Sequence, residues 1–234
     1  LPGSPAVEIT ALLPLPDGRL FAGTFSAGAF CLAEGRCTPL PKEFPEVPVL
    51  KIIRDGERIL FATDGAGVVQ YDARKGVIEN IFRYDDRTGG LTANTVSDIL
   101  LDRSGILWVT TTTDGICYRN ASALDIQWYR HLPGDDHSLI SSHVNTVLED
   151  SRGRLWFGTN QGISRLDGGQ WRHFGVPEGS AVVLMLRGDG GGNVWAGGYG
   201  HPVFSVGAKE PLRIPDRERF HYIFSLAVRG NPPW

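Results

Sequence analysis

The 234-residue sequence predicts an all-β fold assembled from repeated four-stranded antiparallel units. Three observations lead there. Glycine occurs 30 times, about 13% of the chain against an average usage of roughly 7%, and it follows no collagen period. That much glycine marks many tight turns. A frame of apolar strand, Asp-Gly turn and aromatic-bearing strand recurs along the chain. No segment carries a sustained helical period with caps.

The hydrophobic share of 41% supports a sizeable core. Net charge is −3 and no Lys/Arg run stands out, which excludes a basic nucleic-acid footprint. No stretch approaches the roughly 18 apolar residues of a membrane helix. The sequence begins at Leu1 with no initiator Met and no signal-peptide pattern, and it reads as a fragment or processed form.

The repeat is clearest between Val96 to Thr110 and Val144 to Thr159. Each reads apolar strand, Asp-x-x-Gly turn, then a Leu-Trp strand. The frame returns at Pro16 to Thr24, Asp55 to Thr63 and Asp189 to Gly197. An aromatic anchor falls at Phe21, Phe61, Trp108, Trp156 and Trp195, with spacings of 40, 47, 48 and 39. A sixth anchor is expected at Trp234, after the strand-like run Tyr222 to Val228.

Within a repeat the elements follow in a fixed order. Val144 to Glu149 is the first strand, and Asp150 and Gly153 suit the turn that ends it. Leu155 to Thr159 is nearly all apolar, as for a strand covered on both faces. A Gly-led third strand (Gly162 to Leu166) and a polar-aromatic fourth (Gln170 to Phe174) complete the unit. Four short strands per 40 to 48 residues is the period of a propeller blade. The expectation is one β-propeller fragment over residues 1–234, with five blades and the start of a sixth. Such a fragment is expected to be an open arc whose exposed face or edge meets a partner chain or further sequence.

The stretch His131, Pro133, Asp135, Ser138-Leu139 and Val144, followed by Glu149-Asp150 and Leu155-Trp156-x-Gly158-Thr159, resembles the two-component regulator propeller repeat. This repeat belongs to sensor regions of bacterial hybrid signalling proteins. Gly90-Leu91 with Asn94 and Val96 looks like its shorter lead-in. The resemblance covers roughly residues 90 to 167. It implies a propeller on the periplasmic or extracellular side of the inner membrane. A membrane segment and an output module would lie outside this chain.

Chemistry-bearing motifs are few. No His-Glu-x-x-His, nucleophile elbow, Walker loop or Cys-x-x-Cys occurs. Asp189 to Asn193 is acidic and glycine-rich, but a calcium loop needs more oxygen ligands, and its twelfth position is Gly200 rather than Glu. Asp102 and Asp150 recur with the repeat and read as turn residues rather than metal ligands. Asp136-His137-Ser138 has triad residue types, yet sequence neighbours rarely meet in triad geometry. The recurring Trp residues read as core. Asn120-Ala-Ser122 matches a glycosylation sequon that a bacterial setting leaves unused. No metal or cofactor is expected.

Cys31 and Cys37 flank a plausible hairpin tip. They read either as small free thiols or as a pair that an oxidising compartment would join in a disulfide. Cys117 reads as core. In blade topology, the links between fourth and first strands open on the same face as those between second and third strands. That face collects Asn94, Ser142 and His143 from the first group, with Thr113, Asp114, Asn160, Gln161, Tyr199 and His201 from the second. Small polar and aromatic groups around a concave mouth suit a polar ligand.

The expected function is therefore non-catalytic ligand sensing in a bacterial signal-transduction receptor. A carbohydrate or other polar small molecule, or a second protomer in a homodimer, would be the partner. The rival readings are an enzyme resembling streptogramin lyase, with His143 or His201 as base, and a purely structural interaction propeller.

Overall fold

The computed structural model describes residues 7–84, 90–120, 126–177, 179–189, 191–207 and 223. Every sheet is antiparallel and takes its strands in sequence order, so each is a meander closed by short turns. The first contains β1 (Ile9–Pro14), β2 (Leu20–Thr24), β3 (Ala29–Ala33) and β4 (Arg36–Pro39). The second contains β5 (Val49–Asp55), β6 (Arg58–Thr63), β7 (Gly67–Asp72) and β8 (Val77–Phe82). The third contains β9 (Val96–Leu101), β10 (Ile106–Thr111), β11 (Ile116–Asn120) and β12 (Gln127–Tyr129). The fourth contains β13 (Val144–Glu149), β14 (Leu155–Thr159), β15 (Gly162–Asp167) and β16 (Gln170–Phe174). The fifth contains β17 (Val183–Gly188), β18 (Val194–Gly198) and β19 (Phe204–Ser205). These are five propeller blades. The expected sixth strand and Trp234 lie outside the described residues except for Ile223.

The chain divides into two compact units. Unit 1 comprises residues 1–101, 105–111 and 117–127; unit 2 comprises 102–104, 112–116 and 128–234. In unit 1, β5 packs beside both β1 and β9. In unit 2, β17 packs beside β13. The innermost strands of successive blades are thus neighbours within each unit.

A small residue makes that approach possible. A Cβ on Gly23 would lie 2.5 Å from Val49 Cγ1, and one on Gly158 would lie 2.8 Å from Val183 Cγ1. Gly197 meets Ile223 in the same way, with Cγ2 at 3.0 Å. Val49, Val183 and Ile223 each stand at the start of the next inner strand or, for Ile223, of its expected run. The Gly of the Gly-Thr pair is therefore a seat for the following blade. The Thr closes the hairpin beneath it: Thr24, Thr63 and Thr159 donate their hydroxyls to the carbonyls of Gly28, Gly67 and Gly162 at 2.7–2.9 Å. Gly162 has φ +116°, a left-handed conformation that glycine adopts without strain.

Two of the aromatic anchors face the next blade. Phe21 packs with Val49 and Ile52, and Trp156 with Val183 and Leu186. The second repeat corrects the sequence alignment. Ile53 pairs with Leu60 as Leu148 pairs with Trp156, so Leu60 occupies the anchor position and Phe61 the next. Leu60 faces the third blade with Val96 and Ile99, whereas Phe61 turns back onto Phe21. A one-residue offset reverses the face in a strand.

Two of the Asp turns are also stapled to their blades. Asp150 accepts from the backbone N–H of Arg152 (2.9 Å) and Arg154 (3.1 Å), from Arg154 Nε (2.6 Å) and from the Trp156 indole N–H (2.8 Å). Asp189 repeats the pattern with Gly191, Asn193 and Trp195. Its carboxylate is held by the turn. The long lead-in to the fourth blade is pinned likewise. Leu139 is buried, and the Ser138 hydroxyl accepts from Leu132 N at 2.9 Å and donates to Asp135 O at 2.9 Å. Asp136-His137-Ser138 forms no triad.

Cys31 and Cys37 are free thiols. Register explains it: Cys31 lies opposite Thr38 and Cys37 opposite Leu32. The two side chains leave opposite faces of the hairpin, which bars the disulfide.

Burial opposes ionisation of Asp150, but the bonds from Trp156 and Arg154 outweigh it and hold the carboxyl below the usual range. Its unfolded value is about 3.9. The stabilisation is thus complete above that pH and is lost as pH falls toward the folded value. Melting temperatures taken from pH 6 to pH 3 should therefore fall less steeply for Asp150→Asn than for the parent. Parallel slopes would contradict the assignment.

Candidate functional site

The inner strands carry a repeated irregularity at their start. Register shifts leave one extra residue at Thr10, Leu50, Ser97, Asn145 and Leu184, a β-bulge in each blade. A polar side chain at the bulge bridges to the next inner strand. Thr10 Oγ1 donates to Val49 O at 2.5 Å and Asn145 Nδ2 to Val183 O at 3.0 Å. Sequence reasoning missed Asn145; its signal was a polar residue at the second position of three first strands.

Unit 2 brings most of the expected site residues to one rim. Gly115 N donates to Ser142 O (2.8 Å) and Asn160 N to His143 O (3.2 Å), which joins three loops at the start of β13. Tyr199 N donates to Val182 O (3.2 Å) at the start of β17. Asn145 connects these positions, because its Nδ2 also donates to Asn160 Oδ1 at 2.9 Å. Thr113, Asp114, His143, Asn160, Gln161, Tyr199 and His201 all belong to this unit. Asn94 belongs to unit 1.

The residues are not equally available. Asn94 is spent on its own loops: its carbonyl accepts from Gly65 N and Gly67 N, and Oδ1 from Tyr84 N at 2.7 Å. Asn160 Oδ1 is engaged by Asn145. His201 is buried, with Nε2 2.9 Å from Val182 O and Nδ1 3.0 Å from Pro202 O. Its ring sits edge-on to Phe204 at 5.5 Å. His201 thus anchors its loop rather than facing the mouth. Asp114 pairs with Arg130 at 2.8 Å, and Arg130 lies 4.4 Å from the centroid of the exposed Trp128 ring. Thr113, Gln161 and Tyr199 present exposed side chains. His143 is half-buried, and burial pushes its imidazole below the usual range, so the ring is neutral at pH 7.

The rim therefore offers a hydroxyl, an amide, a phenol and a neutral imidazole beside one closed ion pair. This is hydrogen-bonding chemistry with little net charge. Among the described residues no group of three His, Cys, Asp or Glu side chains gathers to hold a metal. No described histidine stands within ion-pair distance of a carboxylate. Ser164 Oγ does lie 3.1 Å from His173 Nδ1, but that hydroxyl is buried and also accepts from Ile140 N.

Residues 90–113 and 138–161 match the sequence model of the two component regulator propeller. The chain carries two component regulator propeller repeats. Both matched stretches end on rim residues, Thr113 and Gln161. Among solved structures, the chain is similar to the extracellular domain assigned to the hybrid two component system BT3049 of B. thetaiotaomicron, at 21% identity and TM-score 0.69. That match covers 84% of this chain and 28% of the other. The extracellular domain assigned to the one component system BT4673 of the same organism is 20% identical with TM-score 0.72, covering 92% and 29%. A catalytically inactive virginiamycin B lyase from Staphylococcus aureus, solved with quinupristin, is 15% identical with TM-score 0.63, covering 88% and 71%. At these identities the likeness is one of fold. The chain thus spans under a third of the two signalling domains. No curated protein matches it.

The neutral imidazole gives a direct check. By NMR, the His143 ring should titrate below the roughly 6.5 of a solvated histidine. A midpoint at or above that value would place the ring in water or beside a carboxylate.

Proposed function

We propose that this chain is part of an extracytoplasmic sensing propeller of a bacterial signal-transduction receptor, and that it binds a polar ligand without catalysis. The observation that carries this reading is the repeat match, which falls on two of the three repeats whose loops build the unit 2 rim. The extracellular setting of the two signalling domains that share its fold supports an extracytoplasmic location. Membrane attachment and output would come from segments outside these residues.

The rim chemistry favours a neutral, hydroxyl-rich ligand such as a carbohydrate. Thr113, Gln161 and the uncharged His143 offer donors and acceptors, and Tyr199 offers a ring for the ligand's C–H face. Among the described rim residues a charged ligand would meet no free counter-ion, because Arg130 and Asp114 already neutralise each other. The fold likeness to virginiamycin B lyase raises an enzymatic alternative. Against it weigh the burial of His201, whose ring lies between two backbone carbonyls, and the lack of a described His–carboxylate pair.

A glycan array followed by titration tests the reading. Gln161→Ala and Tyr199→Ala should weaken binding of any retained glycan at least about tenfold, while stability changes by no more than about 0.5 kcal/mol, as for other exposed loop changes. A parent chain that retains no glycan would overturn the carbohydrate class. Variants that lose stability in step with binding would return these residues to the blades.

A further inference from the structure

On the face of the first blade that points away from the second, Leu12 and Ile9 are exposed. Leu12 pairs with Ala22 as Ile52 pairs with Phe61, Ile99 with Val109 and Leu186 with Ala196. Those three equivalents are 5%, 1% and 8% exposed, whereas Leu12 is 58% exposed. Ile9 is 50% exposed, although Val49, Val96 and Val183 at its position are fully buried. Leu20 and Leu32 on the same face remain half-buried.

The other blades define what fits there. Val49 and Val183 each seat on a glycine that ends the preceding second strand, and Ile52 and Leu186 lie under that strand's Phe21 or Trp156 anchor. A second copy of this chain has no such seat to offer among its described glycine seats. Gly23, Gly158 and Gly197 already hold Val49, Val183 and Ile223. The solved signalling domains that share the fold are more than three times as long as the segment matched.

We propose that this face is a docking surface for one further blade of the same repeat class, carried by polypeptide outside these 234 residues. Its second strand ends in a small residue followed by Thr, with a bulky anchor two positions before the small residue. Ile9 fills the space left by the small residue, and the anchor covers Leu12.

Two measurements compare this chain with the same residues inside their full polypeptide. Hydroxyl-radical footprinting should find Leu12 at least fivefold less reactive in the full polypeptide. Leu12→Asp should leave the melting temperature of this chain within about 2 °C, because exposed changes cost little. In the full polypeptide it should lower melting by at least about 4 °C, as expected for a buried change. Equal Leu12 reactivity in both would overturn the proposal. So would concentration-dependent protection of Leu12 in this chain alone, accompanied by a dimer in sedimentation that Leu12→Asp dissolves; the occupant would then be a second copy.

Discussion

Steric contact between a glycine and a β-branched residue underlies the arrangement of the blades. Where β2, β14 and β18 end, Gly23, Gly158 and Gly197 leave space that Val49, Val183 and Ile223 occupy. A Cβ at Gly23 or Gly158 would crowd Val49 or Val183, whereas in the second blade Ala62 fills the same position beside Val96. The polar bridges from Thr10 to Val49 O and from Asn145 to Val183 O need that closeness, because each spans one hydrogen bond. The apolar faces need it too. Phe21 and Trp156 reach the following blade only if its first strand is held against their own sheet. Burial of such faces supplies most of the stabilisation, at roughly 25 cal/mol per Å² of apolar surface removed from water.

That division of labour shapes the rim. Blades held by seats and anchors do not require their loop side chains for cohesion, so those side chains are open to other uses. Some rim residues are nevertheless drawn into the scaffold. Asn160 is tied to the Asn145 bridge, and His201 is wedged between two carbonyls. Thr113, Gln161 and Tyr199 are left outward, and His143 is half-buried. A ligand that displaced Asn160 from Asn145 would act on the bridge to β17. The rim and the inter-blade contact share that side chain.

Most of the fold was legible because packing constraints recur with the repeat. The Leu-Trp-x-Gly-Thr frame exposes seat, anchor and hairpin closure in five residues, and the strands of the fourth blade fall where the sequence places them. Adjacent apolar residues were harder. Leu60 and Phe61 both suit a core, and only register tells which one faces forward. The choice left open for Cys31 and Cys37 turns on register too, because hairpin pairing sets their faces and spacing alone does not. Loop composition placed His201 at the mouth, but a buried imidazole between carbonyls leaves no mark in sequence. Trp128 and Arg130 were overlooked because their stacking joins a strand residue to a loop residue.

The seat itself can be measured through a double-mutant cycle on Gly23 and Val49. Gly23→Ala alone should destabilise the chain by about 1–3 kcal/mol, the range for overpacked sites. Val49→Gly removes both Cγ1 and Cβ, the two atoms nearest the new Cβ at 2.5 and 2.7 Å. In that background Gly23→Ala should cost at least about 1 kcal/mol less, well within the coupling seen for contacting residues. Additive costs would contradict the account, since the glycine would then serve its own strand and not the seating of the next blade.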